Sequence, residues 1–375
     1  KIYFKRGCLK LALEELGGKV YNRQRAFVVT DKFLYSSGMA KEVTRVLDEM
    51  GMTHTEFFDV TPDPTLACAR AGAKMMADFK PDVVIALGGG SPIDAAKIMW
   101  VLYEHPEVDF EDLAMRFMDI RKRVYTFPHM GEKAMFVAVP TTAGTGSEVT
   151  QYAVLTDDVR ETKSSISSPA LFPKISFLDG KYMERLGRKT TVHTAVDALS
   201  HAVEGMFTEK SSPISDVSAL ESIRLLFSLF SKLEKESPEL SLEDRDALLY
   251  ASMLAGTVIA QSGTTAVHAM GYFLTYYHGA DHGEANGVLL GEMLALCFER
   301  LPETVGKILG AAGLPDVDAF KNILRKLLKG HGRYAVGDLR AYAKRASEDP
   351  KLAGVTYRPE EKDLLRIFFN SDIAE

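Results

Sequence analysis

Short unbroken apolar runs alternate with stretches of helical periodicity through the first half of the chain. The segments "RAFVVTD" (25–31) and "THTEFFDV" (53–60) read as strands. Each is followed by a helical pattern, "GMAKEVTRVLDEMG" and then "PTLACARAGAKMMADF". "PDVVIALGGG" (81–90) reads as a buried strand running into a glycine turn, with "PIDAAKIMWVLYEH" as its helix. "AMFVAVPTTAGTGSEVT" (134–150) is a further buried strand that ends in a loop of small residues. Apolar strands separated by helices are the pattern of a parallel sheet covered on both faces.

Past about residue 182 the strand signals stop and long amphipathic patterns take over, as in "SPISDVSALESIRLLFSLFSKLEKE" and "LEDRDALLYASMLAGTVIAQSG". The change of texture near "LDGKYMERLG" predicts two domains. An α/β domain with a Rossmann-like parallel sheet spans 1–182, and an all-α domain spans 183–375.

A chain of 375 residues leaves room for two cores, and its 46% hydrophobic and 26% charged residues are ordinary for a globular protein. The net charge of −6, with no basic stripe, argues against a nucleic-acid partner. The densest basic run, "MRFMDIRKRVYTF" (115–127), is interleaved with apolar residues and reads as a helix end rather than a binding arm. Cys8, Cys68 and Cys297 share no motif spacing, which fits reduced thiols in a cytoplasm. No run reaches the roughly 18 apolar residues of a membrane span, and "ALLYASMLAGTVIA" reads as a buried helix. No secretory pattern follows Lys1, so the expected location is the cytoplasm.

Gly88, Gly89 and Gly90 stand where a strand turns into a helix, the place at which backbone N–H groups and a helix dipole receive a phosphate. Ser91 is the expected N-cap, with Asp94 completing a Ser-x-x-Asp capping box. A tight turn without a ligand is the competing reading. In the second loop Thr141, Thr142, Thr145 and Ser147 offer hydroxyls, and Gly144 and Gly146 offer clearance. Both loops follow strand C-termini, where open α/β sheets bind ligands. Asp31 closes its strand and is placed either to bind a ribose diol or to cap a helix.

Asp197 and His201, four residues apart in "TVHTAVDALSHAVEG", share one helix face. A simple ion pair would use the same spacing. His268 and His282, fourteen residues apart, would complete a set of three nitrogens and one oxygen. That set suits Fe(II) or Zn(II) and is too nitrogen-rich for magnesium or calcium. His193 lies four residues before Asp197 and His278 four before His282, so spacing alone leaves the ligand choice open.

These motifs, in order along nearly the whole chain, resemble the iron-containing (group III) alcohol dehydrogenases. They are "ALGGGSPIDAAK", "PTTAGTGSEVT", "AVDALSHAVEG" and a histidine followed fourteen residues later by "HGEANG". Up to about residue 150 the chain looks especially like the alcohol dehydrogenase half of bifunctional aldehyde–alcohol dehydrogenases. The resemblance implies a dehydroquinate synthase-like fold, a homodimer and a cleft between the domains. It implies metal ligation by Asp197, His201, His268 and His282, leaving His193 and His278 off the ion. It makes the glycine turn the pyrophosphate site and "TTAGT" a contact of the nicotinamide half. Lys163 becomes a cofactor-side lysine, and Asp31 a determinant of NAD over NADP. One position departs from the pattern: many members carry a histidine four residues after the third ligand, where this chain has Tyr272. Tyr272 or His278 would then take up substrate positioning or proton transfer.

The expected activity is interconversion of a small primary alcohol and its aldehyde, with NAD(H) and Fe(II), or Zn(II) in its place. A polyol, a semialdehyde or a phosphono- or sulfo-aldehyde is the alternative substrate. A metal- and nucleotide-binding protein without turnover is the alternative of a different class.

Overall fold

A strand buried on both faces has to be apolar at every position, and this is why β2 (Arg25–Asp31), β4 (Val83–Gly88) and β7 (Met135–Pro140) read as continuous apolar runs. The computed structural model describes residues 1–18, 21–108, 118–119, 124–125, 127–157 and 161–375. The basic run 115–127 lies largely outside the described residues. The chain divides into two compact units, Lys1–Thr142 with Ser147–Glu184, and Ala143–Gly146 with Arg185–Glu375.

The first unit carries a six-stranded, all-parallel sheet in the order β1 (Ile2–Phe4), β10 (Ile175–Leu178), β7, β4, β2, β3 (Thr53–Val60). On one face Ala26, Val28, Val83 and Ile85 pack with α1 (Cys8–Gly17), α2 (Lys32–Ser36) and α3 (Met39–Glu49). On the other, Phe27, Val29, Val84 and Phe136 pack with α4 (Leu66–Phe79) and α5 (Gly90–Glu104). The helices change face because the chain moves outward from β2 to β3 and then back across to β4. Right-handed crossovers in opposite directions put their helices on opposite faces. The reversal point therefore lies between the C-terminal ends of β2 and β4.

Six strands among the described residues stand outside the predicted set. β1 and β10 have three and four residues, too short to show a period. β8 (Tyr152–Asp157) and β9 (Thr162–Ser167) form an antiparallel hairpin whose second strand, "TKSSIS", is polar enough to read as loop. β5 (Met118–Asp119) pairs with β6 (Val124–Tyr125), and two residues a side leave no pattern.

The second unit is helical: α6 (Arg188–Gly205), α7 (Pro213–Leu233), α8 (Leu242–Ser262), α9 (Ala266–His278), α10 (His282–Arg300), α11 (Pro302–Ala312), α12 (Val317–Leu327), α13 (Val336–Ser347) and α14 (Glu361–Asn370). Capping boxes start α7 at Ser212 and α8 at Ser241. α6 packs against α7, α8 and α10, which is why charged residues along it are buried. Among the described residues no helix is long and apolar enough to cross a membrane, and the run "ALLYASMLAGTVIA" lies within α8. Cys8, Cys68 and Cys297 are free thiols. A parallel α/β unit followed by a helical unit is the architecture the hydrophobic pattern predicts.

Candidate metal centre and nucleotide turn

Three helices of the second unit bring Asp197, His201, His268 and His282 together. Asp197 and His201 lie one turn apart on α6, His268 is in the first turn of α9, and His282 begins α10. Asp197 Oδ1 is 3.8 Å from His201 Nε2, 3.7 Å from His268 Nε2 and 3.6 Å from His282 Nε2, and the His201 and His268 Nε2 atoms are 3.0 Å apart. Ligands about 2.1 Å from a tetrahedral ion stand about 3.4 Å from one another. Asp197, His201 and His268 are close to that geometry. Asp197, His201 and His268 each place a ligand atom within 4.8 Å of the others, and His282 is the outlying member. Its side chain is 26% exposed against 5% or less for the other three, so solvent reaches the cluster from its side.

Burial alone would raise the Asp197 pKa, yet the imidazoles of His201, His282 and His268 and the Asn286 amide hold it at about 2. Burial lowers the His201 pKa against the pull of Asp197. A charged carboxylate beside neutral imidazoles is the protonation state that metal ligation requires.

Two residues of this site escaped the sequence reading. Glu204, fully buried on α6, accepts the His268 imidazole at Oε2. Its Oε1 accepts from Thr265 N at 2.9 Å, Thr265 Oγ1 at 2.7 Å and Val267 N at 3.0 Å, which caps the start of α9. Burial would raise its pKa, but His268 and Thr265 draw it below the usual carboxylate value. One carboxylate thus orients the imidazole and satisfies the helix that carries it. Asn286, buried on α10, places Nδ2 3.0 Å from Asp197 Oδ1 and 3.2 Å from both His268 Nε2 and His282 Nε2. A signal for both was present. Asn286 follows His282 by four residues, the spacing that had singled out Asp197 and His201, and Glu204 follows His201 by three, which also shares a helix face.

Gly283 sets the distance between α10 and α6. A Cβ there would lie 1.8 Å from the backbone oxygen of His193. Gly283→Ala is therefore expected to push α10 away, carrying His282 from Asp197, at a cost of about 1–3 kcal/mol in stability. Thermal melting and metal titration check this; an alanine variant with unchanged melting temperature and metal affinity would contradict it.

The other candidate histidines lie elsewhere. His193 Nδ1 is 3.1 Å from Asp281 Oδ2, which also takes Lys189 Nζ at 2.7 Å, in a separate group with Glu284. His278 ends α9, ten residues from His268 or about 15 Å along the axis, and its Nε2 meets Tyr342 Oη at 3.0 Å. The structure does not bring His278 to the cluster, which corrects the expectation that it serves there. The Tyr272 ring does lie against it, stacked on His282 with centroids 5.6 Å apart.

In the first unit, the reversal point of the sheet brings Asp31 at the end of β2 beside Gly88 at the end of β4. Asp31 caps α2, with Oδ1 accepting from Leu34 N at 2.8 Å. Gly89 is the N-cap of α5 and Gly90 its first residue, and no side chain caps that helix. Ser91 is therefore inside the helix rather than its cap, and its Oγ accepts from Asp63 N at 3.2 Å. The glycines also have packing reasons. A Cβ on Gly88 would lie 2.4 Å from the Pro92 ring, and one on Gly89 would lie 2.9 Å from Thr142 Oγ1.

Asp94 and Ser147 require a correction. Asp94 Oδ1 accepts Ser147 Oγ at 2.5 Å and its Oδ2 accepts Val154 N at 3.0 Å. Both turn inward to a buried Lys97, whose Nζ donates to the backbone oxygens of Ser147, Thr150 and Tyr152 at 2.7–2.8 Å. Burial brings the Lys97 pKa down to about 8, against Asp94 and Glu148. Their task is to hold the segment after the second loop. Thr141 N donates to Gly88 O at 2.9 Å, which ties that loop to the glycine turn. Thr145 belongs with Ala143–Gly146 to the second unit, where a Cβ on Gly146 (φ +62°) would meet Gly256 Cα at 2.4 Å. The clearance at Gly146 thus serves a helix contact. Lys163 Nζ reaches Asp63 Oδ1 at 2.5 Å, an ion pair with a residue that no sequence pattern singles out.

The chain matches the iron-containing alcohol dehydrogenase model over residues 1–180 and the C-terminal model of the same family over 191–333. It is 43% identical over 289 residues to the bifunctional aldehyde-alcohol dehydrogenase AdhE of Escherichia coli (strain K12), covering 77% of this chain and 32% of that protein. The chain thus spans about a third of the length of the bifunctional relatives it matches. It is 32% identical over 335 residues to the NADPH-dependent butanol dehydrogenase of Clostridium saccharobutylicum, covering 88% of this chain and 82% of that one. The crystal structure of an iron-containing alcohol dehydrogenase from Thermotoga maritima superposes with a TM-score of 0.84 at 31% identity, covering 99% of this chain and 97% of that one. With motif order, architecture and full-length similarity in agreement, the chain belongs to the iron-containing alcohol dehydrogenase family.

Proposed function

We propose that the chain interconverts a small primary alcohol and its aldehyde by NAD(H)-linked hydride transfer at Fe(II) held by Asp197, His201, His268 and His282. The observation that carries this reading is the buried cluster itself: three imidazole nitrogens around one ionised carboxylate, at separations a tetrahedral ion fits. The uncapped start of α5 beside the reversal point of the sheet is the feature that fits the pyrophosphate of a dinucleotide. When bound, the ion supplies Lewis acidity toward a substrate oxygen and the nicotinamide gives or takes the hydride.

The chain's own residues do the positioning. Asp197 and Glu204 bring two buried negative charges to the site, which balances a divalent cation. Glu204 fixes the His268 ring so that Nε2 faces the cluster. The low exposure of Asp197, His201 and His268 keeps bulk water from three sides. The butanol in one relative's name supports a small substrate here. The same reading takes the enzyme as a cytoplasmic homodimer, and sedimentation of the purified protein tests the assembly.

The test is NADH oxidation by anaerobically Fe(II)-loaded protein with short aldehydes, polyol-derived and semialdehyde substrates, and anionic aldehydes. Turnover is expected with the short uncharged aldehydes, and no oxidation with any of them overturns the reading. Asp31 is assigned the ribose of NAD. Asp31→Ser keeps a helix cap and removes the charge, and is expected to raise kcat/KM for NADPH relative to NADH at least about tenfold. An unchanged ratio would remove Asp31 from cofactor choice.

A further inference from the structure

Tyr272 is 7% exposed and its ring is held on two sides. It stacks on the His282 imidazole at 25° between planes, and it meets His268 edge-on with centroids 6.3 Å apart. Lys351, from the short turn Pro350–Gly354, sets its Nζ 4.2 Å from the centroid of the same ring. Burial opposes the charge on Lys351, while the Tyr272 phenol and the Asp349 carboxylate restore it and raise its pKa. A cation over an aromatic face fixes the ring's position. A substrate oxygen that gathers negative charge beside His268 and His282 needs a preorganised donor.

We propose that Tyr272 is the hydrogen-bond donor to the substrate oxygen beside the Asp197–His201–His268–His282 cluster, and that Lys351 is the positioning residue that holds the phenol there. The proposal rests on the alcohol–aldehyde reading above and adds the group that receives the oxygen. A substrate with a carbonyl or hydroxyl oxygen and a short apolar tail suits an aromatic wall with one hydroxyl.

Three variants test it. Tyr272→Phe keeps the ring and removes the hydroxyl. Lys351→Met keeps the stem and removes the charge, and Lys351→Arg returns a cation to the ring face. Each Fe(II)-loaded protein, saturated with NADH, is titrated with propionamide, an unreactive mimic of a small aldehyde, and is assayed for aldehyde reduction. Tyr272→Phe and Lys351→Met are expected to bind the amide about tenfold more weakly and to lose about a hundredfold in kcat. Their iron content and melting temperature should match the parent protein, and Lys351→Arg should recover most of the affinity. Parental amide affinity in Tyr272→Phe overturns the donor role. Parental affinity in Lys351→Met, or no recovery in Lys351→Arg, overturns the positioning role. A parent protein that reduces no aldehyde overturns the alcohol–aldehyde reading instead, which separates the two failures.

Discussion

His268→Ala is expected to leave a folded protein without its divalent ion and with turnover lower by about a thousandfold, the effect of losing several kcal/mol of charge stabilisation. His268 is the hub of the cluster: its Nε2 faces His201 at 3.0 Å and Asp197 at 3.7 Å, while its Nδ1 is taken by Glu204. Alanine removes one of three nitrogens and also leaves Glu204 buried without its imidazole, a loss on the order of 3–5 kcal/mol. Three donors of the α9 cap still bind Glu204 Oε1, so the helix start persists. Elemental analysis and thermal melting of the purified variant check both halves. Parental iron content in a folded His268→Ala protein would contradict the ligand assignment.

Glu204→Gln should cost metal affinity without touching a ligand. The two carboxylate oxygens do different work: Oε1 serves the Thr265 and Val267 donors, and Oε2 takes the proton of His268 Nδ1. Glutamine has one acceptor for both tasks. If its oxygen keeps the cap, its NH2 faces Nδ1 and drives the ring proton to Nε2, where it blocks ligation. If its oxygen keeps the imidazole, its NH2 is set against backbone N–H groups. Either arrangement is expected to weaken metal binding about 10–100-fold and to lower stability by about 1–3 kcal/mol. Competition with a chelator measures the affinity, and a value within twofold of the parent would sink the tautomer argument.

Strands buried on both faces were legible because their pattern has no other reading. β2 keeps the bounds of its run, and β4 and β7 lie inside theirs. The β8–β9 hairpin was not legible, since polar "TKSSIS" gains its place from pairing with β8 rather than from any period of its own. The same division holds in the site. Asp197 and His201 announce themselves by spacing on one helix, but the partnership of His268 with Glu204 spans 64 residues and depends on how α9 meets α6. Ser91 shows the opposite error. A local capping signal was overridden because the helix is capped two residues earlier, at glycines that pack against Pro92 and Thr142. Asp94 and Ser147 looked like nucleotide contacts and instead face a lysine that only the folded chain buries, Asp94 with its charge and Ser147 with its hydroxyl oxygen.

One divalent ion is proposed to sit among Asp197, His201, His268 and His282. Anomalous diffraction at the iron edge, from crystals of protein loaded with Fe(II) without oxygen, tests it directly. A single strong peak per chain is expected, about 2.0–2.2 Å from Asp197 Oδ1 and from the Nε2 atoms of the three histidines. A peak elsewhere on the chain, or none in protein that reduces aldehydes, would contradict it.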